Sequence, residues 1–131
     1  MARKLLGVLV VVVMLLNATP ASARTIEVDR GRARASGGFA SASASGTVDD
    51  PKALIIKVTS RPTHQRVRVL WNVFCGRGSV SAARAGDFTM RTRIRKKLNM
   101  PYADPDYCTF AATISLSDGR GRITVILQAR V

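Results

Sequence analysis

Beyond residue 47 the hydrophobic positions recur with a period of two, in segment after segment. Leu54, Ile56 and Val58 share one face while Ile55, Lys57 and Thr59 take the other. Val67, Val69, Trp71, Val73 and Cys75 oppose Arg66, Arg68 and Asn72 in the same way. Cys108, Phe110, Ala112, Ile114 and Leu116 oppose Tyr107, Thr109, Thr113 and Ser115, and Ile123, Val125, Leu127, Ala129 and Val131 oppose Arg122, Thr124, Gln128 and Arg130. Successive side chains of a strand point to opposite faces, so each segment predicts a half-buried β-strand. A further run places Phe88, Met90, Ile94, Leu98 and Met100 against Arg91, Arg93, Arg95 and Lys97, interrupted on its apolar side by Thr92 and Lys96. A weaker strand is expected around Ser79 to Ala83, and the last two segments read as a hairpin closed at Ser117 to Gly121. No segment shows a 3.6-residue period. A sheet with one apolar face needs a second to cover it, so the pattern predicts an all-β, two-layer antiparallel sandwich of about six or seven strands.

Ahead of that region the pattern changes twice. Met1 to Ala23 has the form of an export signal: Arg3 and Lys4, the apolar run Leu5 to Leu16, then Ala21-Ser22-Ala23. That run is shorter than the roughly 20 residues a spanning helix needs. Thr25 to Asp29 alternates and predicts a short edge strand. Residues 31–46, GRARASGGFASASASG, offer only Phe39 as a large apolar side chain and read as a flexible arm. The expected organisation is therefore a signal over 1–23, a short strand and arm over 24–46, and a sandwich over 47–131.

Export changes the meaning of the two cysteines. In an oxidising compartment Cys75 and Cys108 allow one intramolecular pairing, and the alternation puts both on apolar faces, where a bridge across the core would start and end. Closing that loop contributes about 3.7 kcal/mol in the chain-entropy description. Metal or redox roles fit less well: the sequence has one His and no Cys-x-x-Cys.

The chemical inventory is mostly negative. His64 sits in a Pro-initiated turn with no nucleophile motif beside it, Glu27 is the sole glutamate, and the aspartates fall in turns such as Asp104-Pro105-Asp106. No phosphate loop or dinucleotide fingerprint is present, so no enzyme and no cofactor are expected. The positive feature is charge: 21 Lys and Arg stand against 8 Asp and Glu, a formal +13. Arg91, Arg93, Arg95 and Lys97 occupy alternate positions and are the candidate anion-binding stripe, with Arg66, Arg68, Arg122 and Arg130 on the outer faces of other strands. Edge cations also deter strand aggregation. The stripe lacks the aromatics that stack bases, which argues against nucleic-acid reading.

The Asp50-Pro51 lead-in, the strand ending Val67-Arg68-Val69-Leu70-Trp71, the late strand bearing Cys108 and the C-terminal strand together resemble immunoglobulin-like or fibronectin type III-like domains. They are also similar to small exported sandwich proteins of high-GC bacteria that have no assigned function. The resemblance implies an immunoglobulin-like sandwich. It departs from the antibody pattern because Trp71 precedes Cys75 on one strand, and it carries over no functional residue. The expected role is binding or scaffolding at the cell exterior, with a wall polymer or acidic glycan as partner. The alternative is an inhibitor or effector that docks a protein through Arg61 to Gln65 or Asn99 to Tyr107.

Overall fold

The computed structural model describes residues 24–93 and 95–131; the expected signal at 1–23 lies outside them. Eight strands run in chain order: β1 (Thr25–Arg34), β2 (Ala40–Asp49), β3 (Ala53–Arg61), β4 (Arg66–Arg77), β5 (Val80–Arg91), β6 (Arg95–Leu98), β7 (Tyr107–Leu116) and β8 (Arg122–Arg130). They form two four-stranded antiparallel sheets, ordered β1-β8-β3-β6 and β2-β7-β4-β5. The expected two-layer antiparallel sandwich is what the chain builds. Its winding, with consecutive strands passing repeatedly from one sheet to the other, is that of a jelly roll, not the immunoglobulin order the resemblance implied.

The core is the set of inward positions that the alternation picks out. Leu54, Ile56, Val58, Ile123, Val125 and Leu127 of one sheet face Val67, Val69, Phe110, Ile114 and Leu116 of the other, all fully buried. Each layer thus covers the apolar face of the other. Trp71 is half-buried against the same cluster.

Three expectations are corrected. First, residues 31–46 are not an arm: β1 extends through Arg34, a tight connection with reciprocal Ser36–Phe39 backbone hydrogen bonds follows, and β2 begins at Ala40. In β2, Ala40, Ala42 and Ala44 point inward and are buried, while Ser41, Ser43 and Ser45 are exposed. The buried residues are small because β1 and β2, one from each sheet, approach closely. A Cβ on Gly31 would lie 2.0 Å from the Ser43 carbonyl oxygen, and Asp29 accepts the Ser45 N–H at 2.9 Å across the same gap. Second, β7 and β8 belong to different sheets, so Ser117 to Gly121 is a crossover, not a hairpin turn. Third, the Phe88 to Met100 run is two strands. The chain changes sheet at Thr92 and Arg93, where Thr92 is buried and shares a 2.6 Å hydroxyl hydrogen bond with Ser60. The Thr92 N–H donates to the Gln65 carbonyl and the Arg93 N–H to that of Val58.

Cys75 and Cys108 are bonded and fully buried. They occupy directly opposed positions on neighbouring strands β4 and β7, with Cα atoms 4.1 Å apart, so the bridge lies within one sheet and does not tie the two together. It clamps the base of the excursion that carries β5 and β6, a sequence separation of 33.

Candidate functional site

The outward positions of the β1-β8-β3-β6 sheet come into register as rows across the strands. Arg34, Arg122 and Arg61 are direct neighbours in one row; Arg32, Thr124 and Thr59 form the next; Arg30, Ile126, Lys57 and Arg95 the third. Then come Glu27, Gln128, Ile55 and Lys97, and finally Thr25, Arg130 and Ala53. Rows on one face are separated by two residues, about 6.8 Å.

Between the first and third rows the surface opens into a groove of about 620 Å³. Its lining is Arg30, Arg32, Arg61, Arg93 and Arg122 with Thr59, Ser60, Thr63 and Thr124, and it contains no carboxylate. Arg30 is paired with Glu27 at 2.6 Å. Among the described residues Arg32, Arg61, Arg93 and Arg122 take part in no ion pair; the others formed are Lys52 with Asp50 and Asp104, and Arg68 with Asp87. Like charges directly opposite on neighbouring strands destabilise a sheet, so the Arg34–Arg122–Arg61 row carries a cost that an anion would relieve. Chemically the groove offers donors and hydroxyls: guanidinium forks suited to phosphate, sulfate or carboxylate, over a threonine floor.

Two loops hold the rim in place. The Gln65 amide accepts the Arg120 N–H at 2.9 Å and donates to the Arg120 carbonyl at 2.8 Å, tying the β3–β4 connection to the β7–β8 crossover. Gly121, at φ 83°, passes so close to the Arg61 carbonyl that a Cβ there would sit 1.8 Å from its oxygen. Arg93 reaches the groove from the β5–β6 turn with a φ of 79°, a left-handed conformation that costs a non-glycine residue energy. The Arg61 to Gln65 loop therefore belongs to the groove. His64 is exposed in it. The other exposed loop, Asn99 to Tyr107, is pinned at its far end, where the Asp106 carboxylate accepts the Gly78 N–H at 2.6 Å and Lys52 approaches Asp104 at 3.6 Å.

The expected stripe is divided by the crossover. Arg93 lines the groove, Arg95 and Lys97 lie on the same sheet face along β6, and Arg91 ends β5 on the opposite sheet. There it is directly opposite Arg66. Lys96 turns the other way and stacks over the Phe88 ring, 3.9 Å from its centroid. The arginines of β1, with Arg61 and Arg122, form most of the groove and were not part of the stripe; their outward positions in the alternation were the available signal.

The outer face of the β2-β7-β4-β5 sheet is chemically different. Hydroxyls cover its β2–β7 half, with Ser43 bonded to Thr113 at 3.1 Å and Thr47 to Thr109 at 2.8 Å. Leu70 and Phe74, 45% and 43% exposed, stand on β4. Arg68 grips Asp87 in a two-point contact, and that hydrogen-bonded guanidinium holds the Asp87 carboxyl below its ordinary range. Among the described residues no group of three or more His, Cys, Asp or Glu side chains is placed to hold a metal ion, and no helix is long and apolar enough to cross a membrane.

No protein-family model matches the chain, and no curated protein does. Among solved structures it is similar to TmCBM61 in complex with beta-1,4-galactotriose, at 9% identity and a TM-score of 0.44, covering 83% of this chain and 69% of that one. It is also similar to a family 32 carbohydrate-binding module of NanJ from C. perfringens in complex with galactose, at 11% identity and a TM-score of 0.33, covering 81% and 100%. A third is PirA, at 10% identity and a TM-score of 0.33, covering 82% and 84%.

Proposed function

We propose that this chain is a non-catalytic, exported binding module that holds polyanions, such as a wall phosphate polymer or an acidic glycan, on the outer face of its β1-β8-β3-β6 sheet. The observation that carries the reading is the groove itself: five arginines around a threonine floor, with no carboxylate in the lining. Four of the five have no acidic partner among the described residues, so their charge is available to a ligand. The excess of Lys and Arg over Asp and Glu adds long-range attraction that brings an anionic polymer to the surface. The buried disulfide supports export, because such bonds persist in oxidising compartments. The absence of aromatic side chains from the lining favours a ligand without stacking bases.

The test compares placement of charge with amount of charge. Purified protein is eluted by salt from an immobilised sulfated or phosphorylated polymer, beside Arg61→Ser/Arg122→Ser and a charge-matched control, Arg66→Ser/Arg68→Ser on the opposite sheet. Each lost contact to the polymer removes about one released counterion, so the groove variant should elute at much lower salt with a shallower salt dependence, while the control stays close to the parent. Equal shifts in both variants would reduce the arginines to solubility charge and overturn the proposal.

A further inference from the structure

The groove occupies only one end of the cationic face. At the other end a second depression, of about 260 Å³, is lined by Arg95, Lys97 and Arg130 over Ala53 and Ile55, again without a carboxylate. Its cations come from β6 and β8, whereas the groove draws mainly on β1, β3 and β8. Between the two, Ile126 on β8 lies beside Arg30 and Lys57, and Gln128 beside Glu27 and Ile55, Glu27 being the carboxylate that Arg30 already pairs with. From Arg122 to Arg130 the face measures about 27 Å along β8, at roughly 3.4 Å per residue.

Resting on the polyanion reading, we infer that the two cationic stations are occupied together by one extended linear chain. Its anionic groups are carried on neutral spacers, and it runs along β8 from the Arg61–Arg122 end to the Lys97–Arg130 end. A compact anion fills the groove alone and leaves the second station without a ligand. A chain whose charges recur every 6–7 Å matches the row spacing of about 6.8 Å, so that its anions meet cations row by row between the two stations, Lys57 and Arg95 beside Ile126 included. Tethering through the first station raises the effective concentration of the chain at the second, so affinity becomes a function of length.

Abasic deoxyribose phosphodiester oligomers test this, since they place phosphates on neutral sugar spacers with no base to stack; sulfated dextran oligomers of matched length show whether the phosphate itself matters. Affinity should climb from two units, gain about tenfold or more by the length that spans the face, and level off beyond it. Lys97→Ser/Arg130→Ser should leave two-unit binding intact and bring the eight-unit oligomer down close to it. Arg61→Ser/Arg122→Ser should weaken every length. Affinity that does not grow beyond two units, or an eight-unit oligomer indifferent to Lys97→Ser/Arg130→Ser, would overturn the two-station inference while leaving the groove standing. Loss of no binding at any length in Arg61→Ser/Arg122→Ser would remove the polyanion reading itself.

Discussion

Gly31→Ala separates two descriptions of the N-terminal region by whether it destabilises at all. In a flexible arm, alanine would restrict the folded and unfolded chains alike, so the exchange would leave stability unchanged. In the observed fold the new Cβ would stand 2.0 Å from the Ser43 carbonyl oxygen, where separations under 3.0 Å are essentially never found. β1 and β2 must then part by about 1 Å, the difference between those distances, and both contacting atoms belong to backbone. Overpacking of that kind costs about 1–3 kcal/mol, so after the unfolded-state gain the net loss is about 1–2 kcal/mol. With a urea dependence of about 1–3 kcal/mol per molar, the midpoint should fall by about 0.3–2 M. Gly46→Ala is the graded companion: its Cβ would meet only Cγ1 of Val28, at 2.4 Å, and that side chain can rotate, so the loss should be smaller. Equilibrium urea unfolding followed by tryptophan fluorescence reads both, with Trp71 as the reporter. A midpoint unchanged or raised in Gly31→Ala would refute the close packing of β1 on β2.

Two further outcomes follow from the groove and from the β1–β2 contact. Arg93→Gly removes a side chain from a left-handed position, so thermal unfolding should show a gain of about 0.5–1 kcal/mol while retention on an immobilised polyanion weakens; loss of both would mean that the Arg93 turn is not strained. Hydrogen bonds from the N–H groups of Ser45 and Arg30 hold the Asp29 carboxyl below its ordinary value of 3.8. Its contribution is therefore complete above that value and is lost as pH falls through the lower, folded-state one. Acid unfolding of Asp29→Asn should lack that part of the pH dependence in the window below pH 4, and superimposable acid profiles would remove Asp29 from the account.

The strands rich in Val, Ile and Leu were legible because a period of two in large apolar residues has no other economical explanation. β2 carries the same period in Ala and Ser, and β1 carries it in Gly31 and Ala33 against Arg30, Arg32 and Arg34. There the buried partner is small because the sheets nearly touch, so the composition reads as a linker although the alternation is intact. The crossover at Thr92 was legible only as an interruption. What it interrupts, one sheet giving way to the other, depends on Thr92 meeting Ser60 from a distant strand. The groove was hidden for the same reason. Four of its five arginines occupy outward positions in their own strands and Arg93 a turn, but their assembly depends on β8 lying between β1 and β3, a long-range order that no local pattern encodes.

Arg24 and Val131 exchange backbone hydrogen bonds of 3.1 and 2.8 Å, so the chain enters and leaves the sandwich at one corner, on the two strands β1 and β8. Tension applied between those points opens the β1–β8 ladder one pair at a time, like a zipper, instead of shearing all its bonds at once. The disulfide lies in the opposite sheet and bears none of this load. As β1 peels away, it carries Arg30, Arg32 and Arg34 out of the cationic face. A pull on the chain and release of a polymer held on that face would then be the same mechanical event.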